Sequence, residues 1–117
     1  MPFILIYVTN SDLKDAKKLA SHLLKKHLIA CANFFPITST YWWKGELKDA
    51  SEVVSLLKTR KGNWKKVKSE VERIHPYGVP CIMKLEVEAN ESYEDWIKKE
   101  SKTNELGRSL SQQPLQF

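Results

Sequence analysis

Two residue types in this 117-residue chain offer metal-binding or acid–base chemistry in one short stretch, His75 and Cys81. They flank the turn Pro76-Tyr77-Gly78-Val79-Pro80. A neutral imidazole and a thiolate together suit copper(I) or zinc. Each also has an ordinary structural reading. His75 follows a helical pattern and can cap its last carbonyls, and Cys81 can pack as a small apolar residue. Cys31 opens an apolar strand and reads as a buried thiol. Tyr41 and Trp43 share one side of a strand, with Trp42 on the other, so one face can meet a second chain. Lys58, with Tyr77 and His75, can border a cleft that holds an anionic metabolite, or it can neutralise Glu86 or Glu88.

The elements that must position these residues follow from periodicity. Phe3 to Val8 is a near-continuous apolar run, the pattern of a central strand covered on both faces. Asn10, Ser11 and Asp12 offer N-cap oxygens. Leu13, Ala16, Ala20, Leu23 and Leu24 then recur at helical spacing, and the helix is expected to end near His27. Ile29 to Trp43 reads as a long extended segment interrupted by Pro36. Lys44-Gly45-Glu46 is a turn, and a third strand is expected over Val53 to Thr59. Gly62 and Asn63 open a second helix with Trp64, Val67, Val71 and Ile74 on its apolar side, and His75-Pro76 stops it. In the last strand, 81–88, Met83, Leu85 and Val87 alternate with Lys84, Glu86 and Glu88. Asn90 and Ser92 begin a third helix, with Asp95 placed for a capping box.

The order β-α-β-β-α-β with an added C-terminal helix predicts an α+β, ferredoxin-like sandwich over residues 1–102. Residues 103–117 form a tail of changed composition, flexible or packed on a neighbouring subunit. One sheet face lacks a full cover, which is a physical reason to expect association.

Composition excludes several classes. The net charge of +5 comes from lysines mixed with acids along helices, the pattern of solvated faces. The third strand, Val53-Val54-Ser55-Leu56-Leu57, lacks the aromatics of an RNA-recognition motif, so no nucleic-acid partner is expected. No apolar run approaches the length of a membrane span, and no membrane partner is expected. The loop Thr9-Asn10-Ser11-Asp12 carries neither the arginine nor the glycines of an acylphosphatase-type phosphate loop. The start has no signal-peptide pattern, which together with the two cysteines suggests a cytoplasmic protein with free thiols.

Five motifs, in order along the chain, resemble the CutA family of divalent-cation tolerance proteins. They are Leu28-Ile29-Ala30-Cys31-Ala32-Asn33, Tyr41-Trp42-Trp43-Lys44-Gly45-Glu46, Leu57-Lys58-Thr59-Arg60, Ile74-His75-Pro76-Tyr77-Gly78-Val79-Pro80 and Tyr93-Glu94-Asp95-Trp96-Ile97. The resemblance implies a homotrimer whose long hairpins pair between subunits, a role in divalent-cation tolerance through copper binding, and no enzymatic reaction. It supports His75 as a metal ligand, and where the family often has glutamate after Val79-Pro80 this chain has Cys81, which the reading of the residues adds as a second ligand; the same reading places Tyr41, Trp43, Lys58 and Tyr77 at an intersubunit cleft. Copper or another divalent metal is the implied ligand, with no obligatory cofactor. Relatives that bind copper carry a cysteine at the end of the first strand, where this chain has Val8. The alternative function is a trimeric sensor with a small molecule in the intersubunit cleft.

Overall fold

A computed structural model of the protein describes residues 2–102; the expected tail, 103–117, lies outside the described residues. The elements are β1 (Phe3–Asn10), α1 (Leu13–Lys25), β2 (Cys31–Trp43), β3 (Glu46–Thr59), a 3₁₀ turn (Lys61–Asn63), α2 (Trp64–Ile74), β4 (Ile82–Val87) and α3 (Glu91–Glu100). The four strands form one antiparallel sheet in the order β2-β3-β1-β4. This is the expected α+β, ferredoxin-like arrangement.

The apolar run of β1 lies in the middle of the sheet because it pairs on both edges, with β3 and with β4. Ile4, Ile6 and Val8 point into the main core, where they meet Leu19, Ala20 and Leu23 of α1, Leu57 of β3, and Val67 and Val71 of α2. Both helices thus cover one face of the sheet. Asp12 caps α1 by accepting a hydrogen bond from the Asp15 N–H at 2.8 Å. The helix ends at Lys25, and His27 takes a left-handed conformation, φ 54°, that turns the chain toward β2.

The second and third strands form one long hairpin, and the third starts earlier than the expected Val53. β2 begins at Cys31 and β3 already at Glu46, paired in register from Trp43–Glu46 down to Cys31–Lys58. The turn uses two consecutive left-handed residues, Lys44 at φ 51° and Gly45 at φ 79°, as a tight two-residue hairpin connection requires. β1 pairs with β3 only from Val53 onward, so residues 46–52 lie in a two-stranded ribbon that no other strand flanks. Their polar character (Lys48, Asp49, Ser51, Glu52) hid the strand, because neither face of that ribbon is buried within one chain.

The face opposite α1 and α2 is only partly covered. There α3 lays Tyr93 against Phe3, ring centroids 6.1 Å apart. The helix opens at Asn90, whose side chain bonds Ser92 and not a helix N–H. Glu94 instead reaches back to accept from the Ala89 N–H at 2.8 Å, so the acidic partner at this helix start is Glu94 and not Asp95. The alternation of β4 is as expected, but its apolar side lies on this open face. Met83 and Leu85 are each 49% exposed. Lys84 points to the helix side, its Nζ 5.5 Å from the centre of the Trp64 ring.

A cluster of charges joins α1 to α2. Glu70 accepts from Arg73, lies 2.6 Å from His22 Nε2 and takes a 3.2 Å bond from Lys26. Arg73 first and then His22 hold the Glu70 carboxyl at a pKa of about 2, against an ordinary 4.5. A lowered carboxylate pKa adds stability that is complete above the unfolded value and disappears as pH falls through the folded one. We therefore expect this contribution to be present above pH 4.5 and lost toward pH 2. Because Arg73 and Lys26 are about half exposed or more, solvent screening reduces it to about 1–2 kcal/mol. Urea unfolding of Glu70→Gln should show that loss at neutral pH and converge with the parent near pH 2. An equal difference at both pH values contradicts the assignment.

Candidate functional site

Two cavities lie against the Thr9–Asp12 connection and the turn from His75 to Cys81. One, of about 570 Å³, opens on the hairpin side. It is lined by Tyr41 and Trp43 of β2, Glu52 of β3, and Tyr77 and Cys81, with Thr9 at the end of β1. The other, of about 450 Å³, lies between α1 and the end of α2 and includes Ser11, Lys18, His22 and His75. Ser11 lines both.

His75 is locked in place by its ring. Its Nε2 donates to the Thr9 carbonyl at 2.8 Å, and its Nδ1 accepts from the Tyr77 N–H at 3.2 Å. The carbonyl requires a proton on Nε2 and the amide requires a bare Nδ1, so these two bonds define one neutral tautomer. The imidazole also stands edge-to-face with Tyr77, 4.6 Å between centroids. The capping contact expected for His75 is therefore with the end of β1. The last turn of α2 is closed by its backbone instead, through the His75 N–H to the Val71 carbonyl at 2.8 Å. No lone pair of the ring is left open to a metal unless one of these bonds breaks.

On the hairpin side, the Tyr77 hydroxyl donates to Glu52 Oε2 at 2.9 Å. Burial pushes the Tyr77 hydroxyl up, the Ser11 hydroxyl opposes this, and the hydrogen bond to Glu52 and then that carboxylate's charge add to the rise. Burial, followed by the charge of Glu52, likewise pushes the Cys81 thiol up. The thiol is therefore a protonated group beside a carboxylate, and a cation bound there must displace its proton. Both Cys81 and Cys31 are free thiols. Among the described residues no cluster of three or more His, Cys, Asp or Glu side chains could hold a metal ion.

Of the residues singled out from the sequence, Tyr41, Trp43, Tyr77 and Cys81 come together in the hairpin-side cavity, and His75 forms its back support. Lys58 does not line it. Its Nζ donates to the Tyr93 hydroxyl at 3.0 Å and sits over that ring. Nor does it neutralise Glu86, which pairs with Lys61 at 2.9 Å. Glu52 lies one residue before the expected third strand, in a polar stretch with no apolar alternation to mark it. The register Ile37–Glu52, had it been recognised from the turn at Lys44-Gly45, would have placed it.

Residues 4–100 match the family model of the CutA1 divalent ion tolerance protein. The chain belongs to the CutA1 family. It is 40% identical over 100 residues to the divalent-cation tolerance protein CutA of Pyrococcus horikoshii, covering 85% of this chain and 98% of the relative. A crystal structure of CutA1 from the same organism superposes with a TM-score of 0.83, over 86% of this chain and 99% of that one. CutA1 from Oryza sativa, 31% identical, superposes with a TM-score of 0.84 over 89% and 97%. The CutA1 match runs from β1 to the last residue of α3, so it takes in both cavities and the whole hairpin.

Proposed function

We propose that this CutA1-family protein works in divalent-cation tolerance as a homotrimer that binds copper or a similar metal weakly, without catalysing a reaction. The carrying observation is that the hairpin-side cavity holds a thiol and a carboxylate, Cys81 and Glu52, close enough for the charge of one to shift the other. Thiolate suits copper(I) and zinc. Two donors from one chain make an incomplete set, which fits weak uptake, with further donors from water or a second copy. His75 enters as the group that fixes the Tyr77–Cys81 turn. It becomes a ligand only by giving up the Tyr77 N–H bond. The oligomer is supported by the open sheet face and the unflanked ribbon. Free thiols suit the cytoplasm.

The test is a calorimetric titration with copper(I) under reductant, repeated with redox-inert zinc. Cys81→Ser should abolish saturable binding. His75→Ala should weaken it about tenfold, the scale of removing a positioning group near a metal. Binding should also tighten as pH rises, because the raised thiol must lose its proton. Unchanged affinity in Cys81→Ser overturns the site.

One observation favours the small-molecule alternative. The cavity's volume lies within the range of ordinary ligand sites, and three of its walls are the aromatic rings of Tyr41, Trp43 and Tyr77. A metabolite held there between subunits would quench Trp43 fluorescence in the absence of metal.

A further inference from the structure

The helix-side cavity is a second, chemically different place. Its polar wall comes from one face of α1 and the connection that leads into it, where Ser11, Asp15, Lys18 and His22 follow at helical spacing. Its apolar wall is Leu19 with Ile74 and Pro76 at the end of α2. Two of the polar groups are held elsewhere: His22 is paired with Glu70, and His75 is bonded through both ring nitrogens. The other two charges are not. Among the described residues, neither the Asp15 carboxylate nor the Lys18 ammonium forms an ion pair, whereas Lys26, just past the end of the same helix, is tied to Glu70. A half-enclosed cavity thus presents one unused negative charge, one unused positive charge and an aliphatic wall.

We propose that this cavity binds a small zwitterion of the α-amino-acid class with an apolar side chain. The ligand carboxylate pairs with Lys18, its ammonium with Asp15, and its side chain packs on Leu19, Ile74 and Pro76. A ligand with only one charge leaves either Asp15 or Lys18 unanswered. A ligand with neither gains only the apolar wall. The cavity, at about 450 Å³, has room for such a molecule. This inference does not rest on metal binding at Cys81.

Calorimetry with leucine as the probe tests it, with leucinamide and 4-methylpentanoate as relatives that each lack one charge. Leucine should bind saturably in the millimolar range or tighter, one per chain, and both relatives about tenfold more weakly or worse. Asp15→Asn and Lys18→Met should each weaken leucine by a similar factor. Both side chains are at the surface, and unchanged circular dichroism and melting will show the variants folded. Cys81→Ser, at the other cavity, should leave leucine binding as it was. Absence of saturable leucine binding overturns the proposal. So does binding that both α1 variants leave intact, or binding that Cys81→Ser removes.

Discussion

Asn63→Ala should lower the stability of the protein by about 3 kcal/mol, the cost of stripping a buried donor from several acceptors at once. Asn63 is buried, and the two hydrogens of its side-chain amide serve three acceptors, one hydrogen being shared: the Leu28 carbonyl at 3.1 Å, the Thr59 hydroxyl at 3.0 Å and the Ser101 carbonyl at 2.6 Å. These belong to the connection before β2, the end of β3 and the end of α3. One side chain therefore ties three distant parts of the chain at the base of the sheet. Leu28 keeps a bond from the Thr59 hydroxyl at 2.6 Å, which limits the loss on that side, whereas the Ser101 carbonyl loses its Asn63 donor. For a domain of this size the change amounts to a fall in melting temperature of roughly 15 °C. Asn63→Asp should be worse, since it turns a donor into a buried charge facing carbonyl oxygens. Urea melts at one fixed protein concentration measure both. A loss under about 1 kcal/mol for alanine, or an aspartate variant as stable as the parent, contradicts this reading.

Met83→Glu combined with Leu85→Glu should convert the proposed homotrimer into a single chain. The register places Met83 opposite Tyr7 and Leu85 opposite Leu5, so the four side chains form one apolar patch on the face that α1 and α2 do not cover. Two carboxylates cost an isolated chain little there, because both positions are half exposed. In an oligomer that closes on this face they become buried unpaired charges, which association cannot accommodate. Light scattering should read a mass of three chains for the parent and one for the variant, with circular dichroism unchanged. A parent mass of one chain removes the homotrimer itself. A variant that keeps the parent's mass moves the interface off this face.

Much of the architecture could be read from residues because burial in one chain produced the pattern. The continuous run Phe3–Val8 and the α1 and α2 stripes are legible since each is buried against neighbours in the same chain. The first half of β3 has no such neighbour. Its strand character comes only from cross-strand pairing with β2, and polar residues at Lys48–Glu52 gave no alternation to detect. The same gap concealed Glu52, the carboxylate that shares the hairpin-side cavity with Cys81. His75 shows a different limit. Its position before Pro76 predicted the end of a helix, but the partner that fixes its ring, Thr9, is 66 residues away in the chain. Within the chain the Lys58 ammonium donates to the Tyr93 hydroxyl, a partner that sequence separation conceals and that α3 supplies by folding onto the same face.

The chain between Pro76 and Pro80 has few torsions to spare, and its inner end is pinned to β1 by one imidazole. The outer side of the turn is fastened a second time, by the Tyr77 hydroxyl to Glu52 of β3. Because Pro76 walls the helix-side chamber while Tyr77, Gly78 and Val79 wall the hairpin-side one, any displacement of this turn reshapes both.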